Sequence, residues 1–256
     1  MTGPAQLPFA ARLRLLRNKR YDDWWHIVFG GPLGVFVAAV IADVRWITPN
    51  RVTIVGFAMR LAGAALIVVR EPWADYGAFG LLEASLVLDI TDGSLARYRQ
   101  QPSALGAFLD KITDGISLAA LGFLLGWRAW LDGHDALHLM AGAFLGASYL
   151  LRCYMYWVVA YLERERGAAA SVGPSLVQPF GELSFGQRLR YYLAQSWRIL
   201  LFGEGDVYFW VGLALLFHRP SDIVVPLAAA MGFWLVVISG KRIRTVIALD
   251  RQARSS

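Results

Sequence analysis

The sequence predicts an all-α integral membrane protein with six transmembrane helices and one or more interfacial amphipathic helices near its N-terminus. Of its 256 residues, 57% are hydrophobic, whereas soluble domains have roughly 45–50%. The apolar residues fall in runs close to the ~20 residues that cross a bilayer. Basic residues then concentrate on one side of the resulting map. Together these observations predict a multi-pass membrane protein.

The six predicted spans are separated by turn-forming and charged residues. They are Pro49–Val69, Tyr76–Tyr98, Ser103–Leu131, Leu137–Leu162, Val207–Phe217 and Ile223–Val246. Pro49 suits the first turn of the first helix, and the turn at Gln100 to Pro102 folds the third helix back on the second. A Gly- and Pro-containing stretch, 165–190, predicts a cytoplasmic loop before the fifth helix. That helix is short, and its start could lie further back, in "YYLAQSWRILLFGEGD".

This map divides the chain into a cytoplasmic or interfacial segment (1–48), a six-helix membrane domain (49–246) and a cytoplasmic tail (247–256). No cleavable signal peptide is expected, since the first residues turn basic where an apolar core would follow. The stretch 24–44 is apolar enough for a seventh span, but Gly30 to Pro32 interrupts it. We favour helices that lie in the cytoplasmic leaflet, with crossing as the alternative.

Charge predicts the orientation and the partners. With six spans and a cytoplasmic N-terminus, the outer loops hold only Arg70, Arg128 and Arg219. The cytoplasmic side receives Arg12, Arg14, Arg17, Lys19, Arg20, Arg97, Arg99, Arg164, Arg166, Arg188, Arg190, Arg198, Lys241, Arg242 and Arg244. This asymmetry predicts cytoplasmic termini. Because the basic residues flank apolar runs, anionic membrane lipids rather than nucleic acid are the expected partners.

Four aspartates interrupt the second and third predicted helices near their cytoplasmic ends. Asp89 and Asp92 are three residues apart, and Asp110 and Asp114 are four apart, so each pair shares one helix face. Four carboxylates in an apolar chain are costly unless their charge is neutralised. Two divalent cations would balance the charge, and all-oxygen ligation suits Mg²⁺ or Mn²⁺. The pattern therefore predicts a metal site that can bind a diphosphate.

Asp89-x2-Asp92-Gly93-x2-Ala96-Arg97-x8-Gly106-x3-Asp110-x3-Asp114 resembles the signature of the CDP-alcohol phosphotransferases at all eight of its positions. The stretch "TPNRVT", Thr48 to Thr53, is similar to the element that opens the first helix of these enzymes. The resemblance also implies six helices preceded by an interfacial helix. It does not extend recognisably beyond the fourth helix.

The resemblance implies an enzyme that displaces CMP from a CDP-linked donor by an alcohol. The donor would be held by Asn50, Arg51, Val52, Thr53, Gly93, Ala96, Arg97, Ser103 and Gly106. Asp89, Asp92 and Asp110 would bind one Mg²⁺ or Mn²⁺ ion, and Asp89, Asp110 and Asp114 a second. Asp114 would also be the general base.

Several residue roles stay open at the level of sequence. The aspartates could form a solvated acidic patch, or a structural ion-pair network with Arg97 and Lys111, and Asp114 could be a metal ligand alone. Asn50 and Thr53 could cap the first helix. Arg60 and Arg152 are candidate acceptor-binding residues; Arg60 could instead snorkel, and Arg152 could serve a structural ion pair.

Three function classes remain in view. The first is phospholipid synthesis from CDP-diacylglycerol and a small polar alcohol, with the reverse assignment, a CDP-activated alcohol and a lipid hydroxyl, as its variant. The others are a divalent-cation transporter and a catalytically silent scaffold. A bacterial or archaeal plasma membrane with the active site at the cytoplasmic face is expected, and a homodimer is left open.

Overall fold

A computed structural model describes residues 7–16, 20–21, 23–167, 176–177 and 184–255. Two basic residues of the predicted cytoplasmic side, Arg17 and Lys19, and most of the predicted loop 165–190 lie outside these residues. The described residues form helices almost throughout. The described residues also include one antiparallel pair of two-residue strands, β1 (Arg20–Tyr21) and β2 (Leu176–Val177).

The helices follow the predicted order. They are α1 (Phe9–Leu16), α2 (Gly31–Ile41), α3 (Pro49–Leu66), α4 (Pro72–Tyr98), α5 (Ala104–Leu131), α6 (Ala136–Glu165), α7 (Phe185–Gln195), α8 (Glu204–Leu216) and α9 (Val224–Ser255). A π-helical turn, His26–Gly30, precedes α2, and 3-10 turns at Ile67–Val69 and Ser196–Leu201 follow α3 and α7. The protein is therefore an all-helical membrane protein.

Several predicted helices differ from the observed ones at their ends: α4 begins at Pro72 rather than Tyr76, and α6 continues to Glu165 rather than Leu162. The last was predicted to stop at Val246, but α9 continues to Ser255 because no Gly or Pro interrupts the charged stretch. The fifth was predicted from Val207, but α8 begins at Glu204. This start lies inside the stretch "YYLAQSWRILLFGEGD", where an earlier start was considered, and residues 190–201 precede it at an angle of 87° to residues 204–216.

By length and composition, three helical segments could cross a membrane: Pro49–Val69, Ala136–Glu165 and Val224–Arg251. A fourth is obtained if the bent pair around residue 202 counts as one span. α4 and α5 are long enough, at 27 and 28 residues, but carry the aspartates and further charges. Six spans and the placement of the 16-residue apolar stretch His26–Ile41 therefore stay predictions.

α4 and α5 lie at the centre of the packing. α4 contacts α2, α3 and α8, whereas α5 contacts α3 and α6, and α6 also packs on α9. The core between these helices is formed mainly by leucines such as Leu82, Leu86, Leu118 and Leu121, all fully buried. The two central helices thus bring four aspartates to fixed positions.

Local sequence explains the ends of the helices that carry the site. α3 begins with Pro49 in its first turn, and the Thr48 hydroxyl accepts a hydrogen bond from the Arg51 amide at 3.3 Å. The Ser103 hydroxyl caps α5 by accepting from the Gly106 amide at 2.9 Å. Gln100 adopts a left-handed conformation, φ 54°, which reverses the chain between α4 and α5.

Arg99, next to that turn, connects α4 to the loop between α2 and α3. Its guanidinium donates to the carbonyls of Ile41, Ala42, Val44 and Ile47 at 2.7–3.1 Å. These carbonyls belong to a helix end and a loop, where backbone acceptors have no helical partner. Arg99 therefore fixes the loop that leads into the first turn of α3.

A second polar network lies at the opposite end of the bundle. Arg128 donates to the Ile67 carbonyl at 2.6 Å, to Asp75 at 3.3 Å and to Asp132 at 2.9 Å. Burial alone would raise the pKa of Asp132. Hydrogen bonds from Ser221 and Arg128 stabilise its carboxylate more strongly, so the pKa of Asp132 lies below its usual value. This network connects the ends of α3, α4 and α5 to the turn before α9.

Small residues let α5 and α6 approach closely. Gly122 and Gly126 on α5 face Gly142 and Gly146 on α6, and both helices have the small-xxx-small spacing of packed membrane helices. A Cβ added at Gly142 would lie 2.3 Å from the Gly122 carbonyl oxygen. Backbone atoms cannot move aside as a flexible side chain could, so this interface requires glycine.

Gly142→Ala should therefore destabilise the protein. Overpacking costs ~1–3 kcal/mol, and we expect a melting temperature several degrees below that of the wild type in detergent. The matched control is Gly240→Ala on α9, where an added Cβ meets nothing within 4 Å; removing a helical glycine there should be neutral or slightly stabilising. Equal melting temperatures for the two variants would contradict the close packing of α5 on α6.

Candidate active site

Three of the four aspartates converge between α4 and α5. One carboxylate oxygen each from Asp89, Asp110 and Asp114 lies within 4.8 Å of the other two. Asp114 is buried, whereas Asp89 and Asp110 are half-buried. The i, i+4 spacing on α5 places Asp110 and Asp114 on one face of that helix, and their carboxylates lie close to that of Asp89 on α4. This group can hold a divalent metal ion, because hard cations prefer carboxylate oxygens.

The fourth aspartate, Asp92, is held by α3. The Thr53 hydroxyl donates to Asp92 Oδ2 at 2.5 Å, and its oxygen also lies 3.2 Å from the Pro49 carbonyl oxygen. Both side chains are buried, with 8% of Thr53 and 6% of Asp92 exposed. A buried carboxylate needs hydrogen bonds to replace water. Thr53 therefore orients Asp92 beside the other carboxylates.

Arg60 of α3 reaches the same carboxylates. Its guanidinium donates to Asp89 at 2.8 Å and to Asp114 at 2.7 Å, with only 3% of its side chain exposed. A third carboxylate, Glu204 at the start of α8, accepts from the same Nη1 at 3.2 Å. Arg60 therefore points into the polar interior, toward these carboxylates, and the alternative that it snorkels to the surface is wrong.

Lys111 supplies a second positive charge at the edge of the group. Its Nζ lies 2.7 Å from Asp110 and 3.6 Å from Asp114. Half of the Lys111 side chain is exposed, so solvent screens this pair more than it screens Arg60. The ion pairs considered for a structural network therefore do form at Lys111, and they involve Asp110 and Asp114 of the carboxylate group itself.

A polar cavity of about 300 Å³ opens beside the carboxylates. Seven of the eight signature residues line it, and Asp114, the eighth, lies in the carboxylate group. The lining residues are Pro49, Asn50, Thr53, Asp89, Asp92, Gly93, Ala96, Arg97, Gln101, Pro102, Ser103, Gly106, Ala107 and Asp110. Its walls are thus the first turn of α3, the end of α4 and the start of α5.

Most residues predicted to hold the donor lie on this cavity, but two do not line it. Val52 is buried, and exposed Arg51 donates to the Trp46 carbonyl at 2.5 Å.

Thr48, not Asn50, caps α3, so the capping interpretation of Asn50 is wrong. A Cβ added at Gly106 would lie 3.1 Å from Asn50 Oδ1, so α5 and α3 are in close contact at this edge of the cavity. Roles in donor binding stay predictions.

Arg152 lies on α6, where it contacts other helices. Its guanidinium donates to the Phe202 carbonyl at 2.9 Å and lies 3.4 Å from the Met231 sulfur. Phe202 is in the left-handed conformation at the bend before α8, so its carbonyl points away from a regular helix. These contacts favour the structural interpretation of Arg152, and its role in acceptor binding stays a prediction.

Glu204 is the residue whose contacts the sequence reasoning missed. Besides Arg60, it accepts a hydrogen bond from the Tyr149 hydroxyl at 2.6 Å. In the sequence it could equally be the polar start of a helix. The available signal was a carboxylate within the apolar stretch "LLFGEGDVYFW", since such residues in membrane segments usually face a polar interior.

Comparison with protein families places this chain in a known group. Residues 46–234, more than half of the chain, match the family model of the CDP-alcohol phosphatidyltransferases. The chain belongs to this family. The predicted family is therefore confirmed, and members of the family are, as its name states, transferases of substituted phosphate groups.

Two curated relatives match parts of the chain. The CDP-diacylglycerol–glycerol-3-phosphate 3-phosphatidyltransferase of Cereibacter sphaeroides is 35% identical over 96 residues, which are 34% of this chain and 42% of that protein. The bifunctional IPC transferase and DIPP synthase of Thermococcus kodakarensis is 36% identical over 84 residues, 31% of this chain and 18% of that protein. The chain therefore spans less than half the length of either relative.

One solved structure is similar over most of the chain. It is the Mycobacterium tuberculosis phosphatidylinositol phosphate synthase in complex with manganese and citrate. The sequence identity is 20%, the TM-score is 0.48, and the match covers 83% of this chain and 87% of that chain.

The Thr53 hydroxyl should matter for metal binding through Asp92. Thr53→Val keeps the volume but removes the donor, and loss of a group that orients a metal ligand typically costs ~10–100-fold in affinity. We expect Mn²⁺ affinity, measured by calorimetry on purified protein, to fall within that range. Thr53→Ser keeps the hydroxyl and should bind within a few fold of the wild type. Unchanged affinity in Thr53→Val would show that Asp92 does not depend on this bond.

Proposed function

We propose that this protein is a membrane phosphotransferase of phospholipid synthesis. It would displace CMP from CDP-diacylglycerol by the hydroxyl of a small polar alcohol. The single observation that supports this most strongly is the cavity: residues of the eight-residue signature line it, and the carboxylate group lies at one side of it. Membership of the family agrees with this chemistry.

The nucleotide diphosphate of the donor would occupy this cavity. Arg97 presents a planar, permanently charged guanidinium that suits phosphate oxygens. Gly93 and Gly106 line the cavity without side chains that would fill it, and Asn50 and Ser103 offer hydrogen-bonding groups next to Gly106. We include Ala96 and Thr53 in the same donor site. Arg51 and Val52 would act only through the position of the α3 start.

Asp89, Asp92, Asp110 and Asp114 would hold two Mg²⁺ or Mn²⁺ ions. The donor set fits these ions, because it consists of carboxylate oxygens, and those of Asp89, Asp110 and Asp114 lie within 4.8 Å of one another. When bound there, the ions would neutralise the diphosphate and stabilise the charge that develops as CMP leaves. The two half-buried carboxylates, Asp89 and Asp110, leave the group open toward the cavity.

Asp114 would act as the general base. Its carboxylate would accept the proton of the acceptor hydroxyl, while the hydroxyl oxygen forms a bond to the β-phosphorus. The bond from that phosphorus to the oxygen of CMP breaks, and CMP leaves with the electron pair. Positioning and charge stabilisation by the surrounding residues would supply most of the rate. We retain Arg60 and Arg152 as proposed acceptor contacts.

The proposed donor and location have separate support. One relative is named for CDP-diacylglycerol, which favours a CDP-linked lipid over a CDP-activated alcohol. Arg97 lines the cavity, and the other basic residues of the predicted cytoplasmic side, among them Arg12 and Arg99, favour the cytoplasmic face of a bacterial or archaeal plasma membrane. A homodimer is compatible with this proposal.

Activity assays with defined substrates test the function. Purified protein is incubated with CDP-diacylglycerol, Mn²⁺ and a panel of polar alcohols and alcohol phosphates, and CMP release is followed. We expect release with at least one acceptor, its loss in EDTA and its return with Mg²⁺ or Mn²⁺. A parallel panel pairs CDP-alcohols with diacylglycerol; release only there would reverse the donor assignment. No release in either panel would contradict the proposed activity.

Asp114→Asn tests the base directly. The variant keeps the shape and one oxygen but loses the charge and the proton acceptor, and general bases contribute ~10²–10⁴-fold. We expect kcat to fall at least ~100-fold, while the CDP donor still binds through the remaining aspartates and Arg97. Asp89→Asn is the comparison and should also weaken donor binding. Turnover of Asp114→Asn within tenfold of the wild type would place the base elsewhere.

A further inference from the structure

Arg60 occupies the carboxylates that the proposed metal ions need. Its Nη1 and Nη2 donate to Asp114 Oδ1 and Asp89 Oδ1 at 2.7 and 2.8 Å. Two of the three carboxylates of the metal-binding group are therefore neutralised in part by this one guanidinium. A cation that enters the group has to compete with Arg60 for the same oxygens.

Arg60 cannot respond by moving into water. Only 3% of its side chain is exposed, and its guanidinium lies over the buried Tyr208 ring, 5.8 Å from the ring centroid. Its Nε is buried and has no hydrogen-bond partner among the described residues. A buried charge that loses its partners is strongly destabilising unless another opposite charge replaces them. Arg60 therefore needs a carboxylate that the metal ions do not use.

Glu204 lies where it can pair with Arg60 in place of Asp89 and Asp114. Its Oε1 already accepts from Arg60 Nη1 at 3.2 Å, so the same nitrogen contacts both Asp114 and Glu204. Its Oε2 accepts from the Tyr149 hydroxyl at 2.6 Å, which leaves Oε1 directed at Arg60. Glu204 lies in the first turn of α8, where the helix dipole favours a negative charge. It is not part of the carboxylate group of Asp89, Asp110 and Asp114.

Glu204 is also held rigidly by the segment before α2. The Trp25 amide donates to Asp206 at 3.0 Å, and the Gly205 amide donates to Asp23 at 3.2 Å. An added Cβ at Gly203 would lie 2.5 Å from Asp23 Cβ, so the two segments are in close contact. The start of α8, and with it Glu204, is therefore fixed independently of Asp89, Asp110 and Asp114.

We infer that Glu204 is a positioning residue that takes over Arg60 when divalent metal binds to Asp89 and Asp114. The exchange moves Arg60 Nη1 from Asp114 to Glu204 and leaves no buried charge unpaired. Without metal, Arg60 substitutes for part of the missing positive charge. The inference rests on the proposed function only in its metal site, since no step of the transfer reaction enters it.

Metal affinity in a double-mutant cycle tests this inference. Calorimetry with Mn²⁺ alone is performed on purified full-length wild type, Glu204→Gln, Arg60→Gln and the double variant. We expect Glu204→Gln to weaken Mn²⁺ binding about tenfold, at the lower end of the ~10–100-fold range for groups that support metal ligands. Arg60→Gln should strengthen binding, because the competitor is gone. In the Arg60→Gln background, Glu204→Gln should change the affinity less than about twofold.

Controls separate this inference from misfolding and from the proposed function. Glu83→Gln changes another buried carboxyl, which accepts from Trp25 Nε1 at 2.7 Å, and should leave Mn²⁺ affinity unchanged. Each variant is first checked for a melting temperature and an elution volume close to those of the wild type. A variant that fails this check is replaced by Arg60→Met or Glu204→Met. Equal weakening by Glu204→Gln in both backgrounds, or no weakening in either, would overturn the inference. No Mn²⁺ binding by the wild type would instead overturn the proposed metal site.

Discussion

Buried negative charge is the constraint on which the rest of this structure depends. Asp89, Asp92, Asp110, Asp114 and Glu204 meet within the helix bundle, and Arg60 and Lys111 form ion pairs with four of them. Even with Arg97, which lines the same cavity, these carboxylates outnumber the three cationic side chains. The remaining negative charge favours the entry of divalent cations, and it makes the distances among α3, α4, α5 and α8 matter. The rest of the fold can be understood as a means of holding those distances.

Different physical devices hold the four helices. Gly122 and Gly142 bring α5 and α6 into backbone contact, and leucines fill the space between α4 and α5. Arg99 fixes the loop before α3, while the Arg128 network joins helix ends on the far side of the bundle. Hydrogen bonds at both ends therefore bracket an apolar middle. A carboxylate group held in this way can be oriented without large motions of the backbone.

The fold and the core of the site followed from sequence for physical reasons. Helix periodicity predicted shared faces for Asp89 and Asp92 and for Asp110 and Asp114, and the turn at Gln100 brought the two faces together. These are local relations, and one chain segment contains all of them. Membership of the family confirmed the class of chemistry that this spacing indicated.

The contacts that sequence could not supply are those between distant segments. Arg60, Tyr149 and Glu204 are separated by more than fifty residues from one another, and no spacing rule relates them. The bend at Phe202 was also missed, because "LLFGEGD" lacks a proline and a left-handed phenylalanine is uncommon. Helix packing decides such features, and a single sequence does not encode the packing in any periodic pattern.

The central claim is that divalent metal binds at Asp89, Asp110 and Asp114. Anomalous scattering from crystals soaked in Mn²⁺ tests it most directly, because the signal locates the ion independently of any activity. We predict an anomalous peak about 2.0–2.3 Å from carboxylate oxygens of these three residues, in the range expected for small divalent ions. A peak elsewhere in the protein, or none at saturating Mn²⁺, would contradict the account.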